Sequence, residues 1–169
     1  MTTQPRDNLI VWLRDAYAME GQAIELLERQ IERLEHYPEV RTKLREHLTE
    51  TRGQQAALEQ AFNLLSSDPS ALKTSVMKVA ANIQGMLHAF ASDEVMKHVL
   101  GSYAFEQFEA ACYQALVTAA EEAGEREVVS TCSTILREEE AMAAWLWEHL
   151  PHLTQQYLQR SATGADAKR

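Results

Sequence analysis

Four glutamates, Glu20, Glu50, Glu106 and Glu139, stand in stripes of the chain where helical periodicity calls for an apolar residue. Around Glu20 the stripe reads Ile10, Leu13, Tyr17, Glu20, Ile24, Leu27, Ile31, Leu34. Around Glu139 it reads Cys132, Leu136, Glu139, Ala143, Leu146, Leu150. Steps of three and four keep such residues on one side of a helix. Burying even a neutral polar group without a partner costs roughly 2 to 7 kcal/mol, and a lone carboxylate costs more or takes up a proton. One such acid is a hydrogen-bonded core residue. One on each of four helices points to a shared cation site.

Glu109 follows Glu106 by one helical turn, so both can face the same centre. His47 lies three residues before Glu50 and Gln54 four after it, a polar band in an apolar stripe. The expected metal ligands are therefore Glu20, His47, Glu50, Glu106, Glu109 and Glu139. A set rich in oxygen, with one imidazole and no thiolate, suits a dinuclear iron or manganese site, or magnesium or calcium more loosely. No inward Lys or Arg on these stripes offsets the acids, so bound cations would. Glu138 belongs on the flank, although a register slip of one residue would exchange it with Glu139. Tyr17 and Tyr103 lie one turn from Glu20 and Glu106, where they either bond ligands and carry an oxidising equivalent or simply fill core space. His47 has the alternative of a hydrogen-bonded core histidine.

Long periodic runs must position these residues. The first helix is expected from about Asp7, as N-cap, to His36. The second opens at Pro38 and continues to about Leu65, with Val40, Leu44, His47, Thr51, Gln54, Leu58, Phe62 and Leu65 inward. Gly53 within it costs about 1 kcal/mol of helix propensity and marks either a close approach of another group or, equally, a neutral surface position. Ser66 to Ser70 forms a turn, and a weaker helical crossover spans Leu72 to Ala91. A third helix, capped at Ser92-Asp93-Glu94, ends at Gly124, and a fourth runs from about Glu125 to Leu150, where Pro151 intervenes. The fold expected is all-α, a ferritin-like antiparallel four-helix bundle over residues 1–160 with a long helical crossover between the second and third helices. Residues 161–169 are expected to be a flexible tail. Tyr17-Ala18-Met19-Glu20 is echoed by Tyr103-Ala104-Phe105-Glu106, a weak sign of two related halves.

At 169 residues, 46% hydrophobic with six Gly and four Pro, the chain has the composition of one helical domain. A net charge of −9 is the wrong sign for a nucleic-acid surface. No run approaches ~18 apolar residues, so no membrane partner is expected. Met1 to Asp7 lacks the features of a secretory signal, which makes the cytoplasm the expected location. Cys112 and Cys132 have neither zinc nor redox spacing and fall on apolar stripes as small buried thiols. Trp145 and Trp147 read as packing residues at the bundle end, and Glu46 and Glu140 as solvated.

Several runs carry a resemblance. WLRDAYAMEGQ from Trp12 to Gln22, HLTET from His47 to Thr51 with Gln54, YAFEQFEAACY from Tyr103 to Tyr113, and ILREE from Ile135 to Glu139 with MAAWL after it are similar to the YciE/YciF family of bacterial ferritin-like stress proteins, on its YciE side. The resemblance covers nearly the whole chain. It implies a ferritin-like bundle, a homodimer, and a dinuclear centre like that of rubrerythrin. Such centres use one carboxylate on the first helix, Glu-x-x-His on the second and fourth, and Glu-x-x-Glu on the third. Glu20, Glu106 and Glu109 match, and Glu50 and Glu139 match the acids of the other two helices. The chain departs at both histidines, having Gly53 and Met142 there and His47 on the other side of its glutamate. The expected function is a metal-binding stress-response protein with weak oxidase or peroxidase chemistry. The alternative is a non-enzymatic dimeric interaction module with a degenerate site. Mineral storage would need a closed shell of subunits, which nothing in the chain specifies.

Overall fold

The computed structural model of the chain describes residues 4–65 and 94–167. They form four α-helices: α1 (Pro5–Arg33), α2 (Pro38–Leu64), α3 (Glu94–Ala123) and α4 (Arg126–Ala162). The fold is the expected all-α bundle. Helix α1 packs on α2 and α3, and α4 packs on α3 and α2, so the helices stand around the axis in the order α1, α2, α4, α3. The crossover expected over Leu72 to Ala91, and Ser92 and Asp93 of the expected cap, lie outside the described residues. Among the described residues no helix is long and apolar enough to cross a membrane.

Helix α1 opens on Pro5, where a missing N–H removes nothing from the helix ladder. Asp7, expected as the N-cap, sits inside the first turn and accepts a 3.1 Å bond from the Gln4 N–H. Its charge still lies at the positive end of the helix dipole. The buried face of α1 is Leu9, Leu13, Ala16, Glu20, Ala23 and Leu27, whereas Ile10, Tyr17 and Ile24 are only partly buried. The face is turned from the expected stripe because small alanines, not the larger Ile and Tyr, occupy its centre. The inner face of α2 is the expected one: all eight residues from Val40 to Leu65 are buried. Gly53 points away from it, and a Cβ there would meet nothing within 4 Å, so it marks open space and not a close approach.

Gly124 ends α3 with φ 74°. The Glu125 N–H reaches Ala120 O at 2.9 Å and the Gly124 N–H reaches Glu121 O at 3.0 Å, satisfying carbonyls that the helix end would leave orphaned. Helix α4 does not stop at Pro151 but continues for another three turns. Pro151 and Trp147, whose carbonyl loses its partner there, both face solvent, while Leu146 and Leu153 hold the inner stripe in the core. Beyond the helix, Ala167 is buried and its carbonyl accepts a 2.9 Å bond from the Tyr37 hydroxyl.

The buried residues form two apolar clusters along the axis. One gathers Leu9, Leu13, Leu58, Phe62, Leu116 and Ile135. The other gathers Leu27, Leu34, Leu44, Val99, Leu146 and Leu153. Between Leu13 and Leu27, Leu44 and Leu58, Val99 and Leu116, and Ile135 and Leu146, the helices contribute Glu20, His47, Thr51, Gln54, Ser102, Glu106, Glu109 and Glu139. The polar layer is therefore at mid-bundle. At the end nearer the first cluster, Arg6 clamps three elements, bonding Glu125 Oε1 and Leu65 O at 2.9 Å each.

Candidate metal centre

Glu20 from α1, His47 and Gln54 from α2, Glu106 and Glu109 from α3, and Glu139 from α4 are all buried to within 3% relative exposure. His47 Nε2 lies 3.1 Å from Glu106 Oε2 and 3.7 Å from Glu139 Oε2. One donor atom from each of these three residues falls within 4.8 Å of the others, close enough to share one cation. On its other side, His47 Nδ1 stands 3.1 Å from Glu50 Oε2. A ring nitrogen held by an outer carboxylate fixes the tautomer and leaves the opposite nitrogen for the centre.

Glu50 is not the inward acid expected. Its side chain is 41% exposed and meets the layer at His47. Glu138 is half-buried on the flank, as expected, and Gln54 connects it to the layer: the Gln54 amide donates to Glu139 Oε1 at 2.6 Å and to Glu138 Oε2 at 2.9 Å. On the opposite wall the Tyr113 hydroxyl donates to Glu20 Oε1. Tyr113 was legible in the sequence as the residue one turn after Glu109. The expected tyrosines, Tyr17 and Tyr103, are only partly buried, and Tyr103 stacks at a tilt against Trp147 with ring centres 5.6 Å apart. Trp147 itself is 62% exposed, contrary to the packing role expected of it. Glu46 and Glu140 face solvent.

Burial pushes Glu20 up from the ordinary carboxylate range, and the Tyr113 hydroxyl and His47 only partly restrain it. Burial likewise raises Glu109, with Glu20, Glu106 and Glu139 adding repulsion. Glu139 rises through burial and the neighbouring Glu106 and Glu20, against the Gln54 amide. Burial of the His47 ring pulls it down, but Glu106 and Glu50 more than offset this and leave it above the ordinary histidine value. Cys132, buried among apolar side chains, is pushed up to about 12 and is inert as a thiolate.

The layer tests its own fit to a cation. With the acids ionised, Glu106 Oε2, Glu109 Oε1, Glu139 Oε2 and Gln54 Oε1 are buried without a hydrogen-bond donor. Orphaned buried oxygens are costly in a low-dielectric interior. The arginine ion pairs Arg6–Glu125, Arg29–Glu25 and Arg52–Glu28 are on the surface, and among the described residues His47 is a basic group set against the layer. Acceptor oxygens with too few donors are what a hard divalent ion satisfies.

Comparison with known proteins agrees with this architecture. The sequence model of the family described as "Domain of unknown function (DUF892)" matches residues 4–159. A solved protein from Xanthomonas campestris pv. campestris is similar at 38% identity and a TM-score of 0.79, over 94% of this chain and 99% of that one. YcfI of Rhodopseudomonas palustris, described as a putative structural protein, is 28% identical with a TM-score of 0.69, over 85% and 93%. The stress protein YciF of E. coli shares the fold at 22% identity and a TM-score of 0.69, over 88% and 96%.

Proposed function

We propose that this chain, which belongs to the DUF892 family, is a ferritin-like stress-response protein that binds a dinuclear iron or manganese centre in its mid-bundle carboxylate layer. The observation that carries this reading is the set of buried, donorless oxygens on Glu106, Glu109, Glu139 and Gln54. Glu20, His47, Glu106, Glu109 and Glu139 would hold the metal, and Glu50 would act from the rim through His47. Iron held there would supply electrons to a peroxide or dioxygen oxidant in weak oxidase or peroxidase chemistry. The chain's own residues orient the centre: Tyr113 fixes Glu20, Gln54 fixes Glu139, and the two apolar clusters exclude bulk water. The same reading takes the protein as a cytoplasmic homodimer. Equilibrium dialysis of metal-free protein against Fe2+, Mn2+ and Zn2+ tests it. About two ions per chain are expected, with iron or manganese preferred over zinc because the ligands are mainly oxygen. Less than about one ion per chain with both iron and manganese would end the dinuclear reading.

A second reading draws on one specific feature. The positions where the resemblance calls for histidine are the open Gly53 and the buried Met142, which packs in the second apolar cluster. A bundle that has lost its nitrogen ligands and acts as an interaction module would bind neither metal in that dialysis.

A further inference from the structure

We propose that the groove between α2 and α4 is the route by which divalent cations reach the buried layer, with Glu50 and Glu138 as its receiving pair. This rests on the metal-binding reading above. The groove has a volume of about 410 Å³ and is lined by Glu50, Gly53, Gln54, Ser130, Thr134 and Glu138, among others. At roughly 30 Å³ per water, an ion with six waters occupies about 200 Å³, so a hydrated divalent cation fits.

Each of the two groove acids is one contact from a buried group of the layer. Glu50 Oε2 is 3.1 Å from His47 Nδ1, and Glu138 Oε2 shares the Gln54 amide with Glu139. Gln54 lines the groove, is only 3% exposed, and carries an Oε1 with no partner. It therefore supplies an unclaimed oxygen at the boundary between groove and layer. On the α1–α3 side, by contrast, Met19, Ala23, Phe105 and Tyr113 are buried against the same layer. Gly53 lines the groove without a side chain, and a Cβ there would meet nothing within 4 Å. Two acids over such a cleft raise the local cation concentration and the on-rate. The chain's departure from the rubrerythrin-type pattern at Gly53 thus falls on the wall of this groove.

The test follows uptake of Mn2+ by the full chain in stopped flow, with a fluorescent chelator reporting the free ion. Gly53→Leu puts a side chain into the groove and improves helix propensity, so it should fold. It is expected to slow Mn2+ association by about tenfold or more while leaving the equilibrium stoichiometry unchanged. Gly53→Ala adds a methyl that leaves the groove open and should load near the wild-type rate. The double variant Glu50→Gln/Glu138→Gln, which keeps the shape of the groove, should also load about tenfold more slowly. Wild-type rates in Gly53→Leu, or in the charge variant, would overturn the route and leave the metal reading standing. A wild-type protein that takes up no Mn2+ would overturn both.

Discussion

The two walls of the polar layer differ in how they treat their acids. On the α1–α3 wall, Glu20, Glu106 and Glu109 are at most 2% exposed and sit behind Met19, Phe105 and Tyr113. On the α2–α4 wall, Glu50 and Glu138 reach solvent, whereas His47, Thr51, Gln54 and Glu139 lie deep. The closed wall holds its carboxylates where water cannot solvate them. The open wall relays between solvent and the layer through an imidazole and an amide. Geometry is kept on one side and exchange is allowed on the other.

The largest expected effect comes from breaking the closed wall. Glu20→Ala and Glu106→Ala should lower metal affinity by more than about a hundredfold, because loss of even the outer partners of metal ligands costs roughly 10- to 100-fold. Glu28, paired with Arg52 at 2.6 Å on the surface, and exposed Glu121 are the controls, and their alanine variants should bind like wild type in the same dialysis. Equal affinity in all four proteins would show that the wall has no part in binding.

A second contrast lies in pH. Glu20, Glu109 and Glu139 hold protons in the folded state above 4.5, where the unfolded chain releases them, and His47 holds its own above 6.5. For a group with a raised folded value, the stabilisation is complete below the unfolded value and is lost as pH rises toward the folded one. Metal-free protein should therefore lose stability between about pH 5 and 8. Metal reverses the trend by binding the ionised acids of the native state, worth roughly 2.7 kcal/mol at a hundredfold excess over Kd. Melting curves with and without Mn2+ should diverge as pH rises. Parallel curves would mean that the closed wall is solvated.

Tyr113→Phe sharpens the comparison within the closed wall. It removes the hydroxyl that donates to Glu20 and leaves a buried acceptor unsatisfied. The expected loss is about 1 to 3 kcal/mol in urea unfolding at neutral pH. Tyr103→Phe, whose ring is only partly buried against Trp147, should change stability by less than about 0.5 kcal/mol. Similar losses in the two variants would count against the closed wall's reliance on Tyr113.

How far the sequence reaches depends on the helix. In α2, large apolar residues and a coherent polar band mark one axis, so the buried face follows from spacing alone. The same spacing already carried the exposure of Glu50: at about 100° per residue it lies some 60° off the line through His47. In α1 the expected stripe runs through Ile10, Tyr17 and Ile24, whose apolar bulk outweighs that of the alanines beside them. Ala16 and Ala23 are the true centre, set by how closely neighbouring helices approach, which one helix's pattern does not record. Glu20, Glu106 and Glu139 survive such errors because they lie near the middle of their buried arcs. Pro151 illustrates the opposite case, a strong local stop signal overridden by tertiary burial of Leu153.

The connectivity of the layer also orders how the chain assembles. Helices α1 and α2 are joined by the four residues Leu34 to Tyr37, and α3 and α4 by Gly124 and Glu125. Each hairpin closes over a short stretch of chain at little entropic cost, but every contact between Glu20 and Tyr113 spans 93 positions. The two halves can thus form before they meet. In that order of assembly their acids come together at docking, and the most repulsive part of the molecule is among the last to be built. The late arrival keeps charge repulsion out of the early encounters and concentrates it on the barrier to leaving the folded state.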